Sequence, residues 1–239
     1  MTAPLRVALV GMGKMGRTID ALAAERGAEI VARLDRDDRV DAAALGGADV
    51  AIDFTEPAAA VPNVRACLAG GVPVVVGTTG WYDQLPALER DVRDADGRML
   101  WAANFSLGVN AMIRLAAEAG RLLRDSGMDV HLVETHHTQK KDAPSGTAIA
   151  IARAATATLG REIPTTSVRV GHVPGTHTLV FDGPFEQLRI EHDARDRRVF
   201  AEGALAAARW LAARREPGVY TMSDVLAPAS DQSTGGLRP

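Results

Sequence analysis

Between Glu134 and Thr147 the chain places Glu134, His136, His137, Lys140, Lys141, Ser145, Gly146 and Thr147 within one short stretch. A free imidazole titrates near ~6.5 and so gives or takes a proton at neutral pH, while an ammonium group neutralises negative charge or protonates an amine. Ser145-Gly146-Thr147 precedes an Ala/Ile-rich run, the pattern of a helix start whose N–H groups and hydroxyls favour a carboxylate or phosphate. The same serine serves equally as a simple cap. The neighbouring His136, His137, Lys140 and Lys141 turn the stretch into a predicted site for a small acidic substrate. Glu134, His136 and His137 lack H-E-x-x-H or equivalent metal-ligand spacing, and Ser145 is not in a G-x-S-x-G elbow. Neither a metal site nor a serine nucleophile is expected.

A second constellation lies near the N-terminus. Val7-Ala8-Leu9-Val10 runs into Gly11-Met12-Gly13-Lys14-Met15-Gly16. Glycines at this spacing allow a tight turn, close backbone approach to a pyrophosphate and close helix packing. Asp35, nineteen residues beyond Gly16, closes the next strand-like run, where a carboxylate would bond the adenosine ribose. Arg36 and Lys14 are cations suited to the extra phosphate of NADP, so use of NADH, NADPH or both is expected. Gly77-Thr78-Thr79-Gly80 follows the run Val74-Val75-Val76, and Ala102-Ala103-Asn104-Phe105 follows Met99-Leu100-Trp101. Both would lie at the carboxyl ends of parallel strands, the edge where ligands bind.

These residues need a scaffold. Short β-branched runs at 6–10, 29–34, 50–54, 73–76 and 98–102 alternate with helical patterns such as 15–26 and 83–95, which predicts βαβ units. Pro62 is awkward inside the helical pattern 57–69, so a helix is expected to start or restart near it. After Asn104, Met112, Leu115, Ala116, Ala119, Leu122 and Leu123 give one apolar helical face. A strand over 128–134, the His/Lys loop and a helix from about 147 to 159 follow. Strand-like runs at 167–173, 177–182 and 188–192 succeed one another without helices, favouring an antiparallel or mixed sheet. A helix is expected over 199–214. The predicted fold is α/β: an N-terminal Rossmann dinucleotide-binding domain (1–104) and a second α+β domain built on a mixed sheet (105–205) for substrate binding and oligomerisation. Residues 206–227 are expected to return to the first domain, and 228–239 read as a flexible tail.

With 239 residues, a net charge of -3 and no basic run interleaved with aromatics, the chain carries no nucleic-acid footprint. Its single cysteine, Cys67, reads as a small buried thiol. No apolar run reaches the ~18 residues of a membrane span and no secretory h-region is evident, so a cytoplasmic protein is expected.

The motifs Gly11-x-Gly-x-Met-Gly16, Gly77-Thr-Thr-Gly80, Ala103-Asn-Phe-Ser-x-Gly108 with Asn110, and above all Glu134-x-His-His-x-x-Lys-x-Asp-Ala-Pro-Ser-Gly-Thr147 resemble the 4-hydroxy-tetrahydrodipicolinate reductase (dihydrodipicolinate reductase) family. The resemblance implies hydride transfer from NADH or NADPH to a cyclic imine dicarboxylate, with loss of water, in lysine and diaminopimelate biosynthesis. It further implies His136 as proton donor and acceptor, Lys140 as a second donor, and His137, Ser145, Gly146, Thr147 and Arg197 as substrate contacts. Arg195 or Arg198 is an alternative to Arg197. The cofactor positions it implies are Gly11 to Gly16, Asp35, Arg36, Gly77 to Thr79 and Ala102 to Phe105, in what is typically a homotetramer. The chain departs from the family in a short 37–47 segment and in Thr176, where a glutamate is common. Competing readings are another Rossmann-type reductase, such as an aspartate dehydrogenase, and a non-catalytic NAD(P)H sensor.

Overall fold

A computed structural model describes residues 3–227, and the tail expected beyond them lies outside the described residues. The chain sorts into two compact units: residues up to Ser106 together with those from Arg198, and Leu107–Arg197.

In unit 1, strands β1 (Leu5–Val10), β2 (Ala28–Leu34), β3 (Val50–Asp53), β4 (Val74–Val76), β5 (Arg98–Trp101) and β10 (Gly218–Tyr220) form one parallel sheet in the order β10-β5-β4-β3-β1-β2. The central strands are continuous apolar runs because both faces are covered. Alternation divides them: Val7, Leu9, Val50, Ile52 and Val75 join one core with helices α1 (Lys14–Ala23) and α6 (Arg198–Ala213). Ala8, Val10, Ala51, Val74 and Val76 join the other, with α2 (Pro57–Ala69) and α3 (Leu85–Asp94). Cys67 belongs to this second core, and burial, then the nearby Asp53, push its thiol up to about 12. The order reverses at β1, so the carboxyl ends of β1 and β3 flank the crevice where open α/β sheets hold ligands.

Two expectations for this unit are corrected. α2 begins at Pro57 and runs through Pro62 without a restart. Pro57 occupies the first turn, where no N–H is needed, and Pro62 and Ala58 are both exposed, so the carbonyl left without a donor faces solvent. The return to unit 1 begins at Arg198 rather than near residue 206. Ala201, Ala204 and Leu205 are core residues of this sheet. A Cβ on Gly203 would lie 1.7 Å from the Phe105 carbonyl oxygen, a contact only glycine permits.

Unit 2 carries a mixed sheet of β7 (Thr165–Arg169), β6 (Asp129–His136), β8 (Thr176–Asp182) and β9 (Gln187–Asp193), in that order. β7 is parallel to β6 and the other pairings are antiparallel. Helices α4 (Leu107–Leu122) and α5 (Gly146–Leu159) share a core with the inward residues of β6 and β8. They cross closely at Gly120, where a Cβ would meet the Thr158 hydroxyl at 2.5 Å. Of the apolar face expected on α4, Met112, Ala116 and Ala119 are buried, but Leu115 and Leu122 are 55% and 64% exposed. These two leucines lie seven residues apart along one flank, beyond the stripe that α5 covers. The strand expected over 167–173 begins at Thr165 and ends at Arg169, where pairing with β6 stops at His136. Among the described residues no helix is long and apolar enough to cross a membrane.

Candidate active site

The three glycines after β1 have three different reasons to be glycine. Gly11 has φ +96°, and a Cβ there would lie 2.2 Å from the Phe54 carbonyl oxygen. A Cβ on Gly16 would lie 2.1 Å from the Gly11 carbonyl oxygen, so the first turn of α1 packs directly on the loop. At Gly13, the N-cap of α1, a Cβ would meet nothing within 4 Å. Among the described residues nothing fills that space. Open room above a helix N-terminus suits a pyrophosphate, since the unpaired N–H groups there favour anions. Met12 and Met15 are partly buried against the first core, and Lys14 is exposed.

Asp35 stands exposed just past β2, and its Oδ1 accepts the Arg36 N–H at 3.0 Å. The Arg36 guanidinium meets Glu56 at 3.3 Å, with both side chains mostly exposed. Such a pair is worth at most ~1 kcal/mol, so Arg36 is easily redirected.

The two other strand ends turn partly inward. Gly77 accommodates the Phe54 ring, which a Cβ would approach to 2.1 Å. Thr78 is buried, donating to Asp53 Oδ1 at 2.6 Å and accepting the Thr55 N–H at 2.7 Å. Phe105 is buried edge-on to Phe54, with ring centroids 5.7 Å apart. Thr79 and Ala103 are exposed, Ala102 is buried, and Asn104 accepts the Ser106 N–H at 2.8 Å. The side chains of Thr78 and Phe105 thus brace this edge. Sequence reading missed Asp53, fully buried at the end of β3 and also bonded by Asn63 Nδ2 at 2.8 Å and Thr55 Oγ1 at 2.9 Å. Burial pushes its carboxyl up, against these hydrogen bonds. The available signal was a carboxylate closing an apolar run and followed two residues on by a hydroxyl.

In unit 2, β6 extends two residues past its expected end, so His136 closes the strand instead of opening the loop. Alternation puts Val130, Leu132, Glu134 and His136 on the same inward face. The apolar face becomes ionisable where the strand leaves the core. Glu134 is fully buried. Its Oε1 accepts from Arg169 Nη2 at 2.7 Å, and its Oε2 is in ion-pair contact with His136 Nδ1. Burial alone would raise the Glu134 carboxyl; Arg169, Ser167 and His136 outweigh it and hold the group at about 2. His136 is pushed below its ordinary value by burial, with Glu134 pulling up and Lys140 and Arg169 pushing down.

His177, absent from the sequence-based site, meets His136 edge to face at 5.2 Å. Its Nε2 lies 3.2 Å from the Ser145 hydroxyl, which also accepts the Ala148 N–H and caps α5. Burial, then the charge of His136, bring His177 down to about 4, so it is neutral at pH 7. Lys140 reaches Asp142 at 2.8 Å, and its charge acts on both histidines. Gly146 has open space around it, and His137 and Thr147 are half buried. Arg197 is exposed at the end of the unit. Its segment leaves β9 through Ala194, whose N–H bonds the Gly175 carbonyl at 2.9 Å, and Gly175 packs against His136. Glu134, His136 and His177 offer ligand atoms within 4.8 Å of one another. With Arg169 on the same carboxylate, the set is a charge network rather than a cation cage.

A parallel sheet with an open glycine loop at its switch point, and beside it in the chain a unit with a buried imidazole–carboxylate pair and a serine-capped helix start, define an NAD(P)H-dependent oxidoreductase of the Rossmann class. Comparison with known proteins narrows this. Residues 5–105 match the family described as dihydrodipicolinate reductase, N-terminus, and residues 108–226 match dihydrodipicolinate reductase, C-terminus. The chain belongs to the dihydrodipicolinate reductase family. It is 37% identical to a 4-hydroxy-tetrahydrodipicolinate reductase of Christiangramia forsetii over 93% of this chain and 98% of that protein. It is 40% identical to one of Acidiphilium cryptum, over 94% and 98%. The solved dipicolinate-bound dihydrodipicolinate reductase from Paenisporosarcina sp. TG-14 superposes with TM-score 0.78 at 25% identity, covering 91% of this chain and 97% of that one.

Proposed function

We propose that this protein reduces 4-hydroxy-tetrahydrodipicolinate to tetrahydrodipicolinate, with loss of water, using NADH or NADPH, in lysine and diaminopimelate biosynthesis. The observation that carries the reading is the meeting of a proton-active pair, His136 with Glu134, and the Ser145 helix start in one unit of a chain from this family. Bound NAD(P)H supplies the hydride. Unit 1 holds the cofactor: the N–H groups around Gly13 take the pyrophosphate, Asp35 the adenosine ribose, and Arg36 or Lys14 a 2′-phosphate. The backbone from Gly77 to Thr79 and from Ala102 to Phe105 frames the nicotinamide.

Unit 2 holds the substrate and moves the proton. Hydride addition to a conjugated imine builds negative charge, which His136 quenches by donating a proton, with Lys140 as second donor. The N–H groups and hydroxyls of Ser145, Gly146 and Thr147, with His137 and Arg197, receive the two carboxylates. The bound dipicolinate of the Paenisporosarcina protein, a planar dicarboxylate, supports this substrate class. The protein acts in the cytoplasm, where reduced nicotinamide cofactors are available, as a homotetramer assembled through unit 2. Exposed Leu115, Leu122, Ile149, Val170, Phe185 and Leu188, all in that unit, support the assembly.

The test is the fall in NADH absorbance, and separately NADPH, on mixing with freshly generated 4-hydroxy-tetrahydrodipicolinate. Oxidation with either cofactor is expected. Cofactor binding without oxidation would sink the substrate assignment. Light scattering should give a mass near four times 25.2 kDa.

A further inference from the structure

Glu134 is two residues from His136, fully buried and charged, and its surroundings are built strand by strand. On β6 it shares a face with His136. In register it lies opposite Ser167 of β7 and His177 of β8, while His136 lies opposite Arg169. Arg169 Nη2 takes one carboxylate oxygen and is itself anchored to the Asp142 carbonyl at 2.7 Å. The other oxygen meets His136 Nδ1. An ionised carboxylate only accepts, so the ring nitrogen facing it must carry a hydrogen. Neutral His136 is then unprotonated at Nε2. That atom lies against Gly175, where a Cβ would come within 2.9 Å of it. Any other residue there would cover Nε2 or push the ring off Glu134.

We propose that Glu134, clamped by Arg169, is the positioning residue of the proton donor: it fixes the hydrogen of His136 on Nδ1 and leaves Nε2, beside the bare Cα of Gly175, as the atom that exchanges protons. This rests on the reading of His136 as the donor. The groups that act on the ring come from every element around it: Glu134 from its own strand, Lys140 from the following loop, Arg169 from β7, and His177 from β8. His192 of β9 lies opposite His177. Lys140 and Arg169 disfavour the imidazolium and His177 is neutral, so the charge of Glu134 is what sustains a protonated ring. The deep depression of the Glu134 carboxyl means that this charge persists throughout the working pH range.

Two substitutions should move His136 in opposite directions. Glu134→Gln keeps the volume but removes the charge, and should lower the His136 titration, followed by NMR and assigned with His136→Gln, by about one pH unit or more. Arg169→Met leaves the carboxylate less neutralised and should raise it. The pH limb of kcat/KM should follow each shift, with turnover of Glu134→Gln down roughly 10²-fold and the NADH dissociation constant within about twofold of wild type. An unchanged titration in both variants overturns the proposal even if activity falls, because a merely structural role lowers activity without moving the ring's proton affinity. Shifts of the same sign also overturn it. If Glu134→Gln does not fold, the sign of the Arg169→Met shift decides. Near-normal turnover of His136→Gln would overturn the donor reading itself. An inactive His136→Gln beside an unaffected Glu134→Gln would remove only the role given to Glu134.

Discussion

At the end of β1 the protein contributes backbone and the absence of side chains, whereas at the end of β6 it contributes buried, ionisable side chains. Gly11 and Gly16 are glycines because neighbouring carbonyls leave no room, whereas at Gly13 no described atom would lie within 4 Å of a Cβ. Glu134, His136 and His177 instead occupy interior positions that an apolar side chain would otherwise take, with the partly exposed Arg169 paired to Glu134. The proposed ligands account for the difference. A pyrophosphate needs N–H groups and space, which any helix start with a bare N-cap provides. A proton transfer needs a group whose charge state is tuned, which requires burial and specific neighbours.

If the contrast is right, damage at one edge should leave the other intact. His136→Gln should lower turnover by roughly 10²–10⁴-fold while fluorescence titration shows NADH binding unchanged. A parallel loss of cofactor binding would break the separation. Gly13→Asp tests the other edge. The position has φ -70° and open space, so the variant should fold and melt as the wild type does. Its carboxylate should repel the pyrophosphate and weaken NADH binding about 100-fold, an effect of about 2.7 kcal/mol. Dipicolinate binding, read by calorimetry, should be unaffected.

The tuned edge should also be the pH-sensitive one. His177 has its titration lowered from 6.5 to about 4, so on acidification the unfolded chain takes up a proton that the folded one refuses. Stability from this group is therefore full above 6.5 and declines by up to about 1.4 kcal/mol per pH unit toward 4. Hydrogen exchange of β6 and β8 amides between pH 7 and 5 is the measurement, because Trp81, Trp101 and Trp210 all report on unit 1. His177→Asn should flatten the dependence; an equal slope in that variant would assign it to another group. Glu134 acts in a lower window, lending stability that is lost only as pH falls from 4.5 through about 2. The smallest expected effect is at the cofactor's adenosine end. Asp35→Ala should weaken NADH about tenfold and NADPH less, since the exposed Arg36 remains for the phosphate. Equal losses would argue against ribose recognition by Asp35.

How much of each edge was legible follows from the same contrast. The glycine loop, the strand before it, the helix after it and the offset to Asp35 are local spacings, and they read directly. Thr78 and Phe105 were read as facing the cofactor, but their partners Asp53 and Phe54 come from a different strand end. In unit 2 the residue types were legible and their wiring was not. Arg169 lies 35 residues from Glu134, and only the register of β7 on β6 joins them. His177 arrives likewise through β8. One local signal was available: the alternation Val130, Leu132, Glu134, His136 continues past the expected end of β6, but polar inward residues read as a loop.

By itself the sequence determined the α/β class, the dinucleotide loop, the capped start of α5 and the family, because turn geometry, helix capping and periodicity depend on neighbours in the chain. The tertiary structure decided which nitrogen of His136 faces a carboxylate, that Arg169, Ser167 and His136 together hold that carboxylate ionised and that His177 stays neutral. Those outcomes depend on burial and on charges a few ångströms apart, and such distances exist only once the strands have paired.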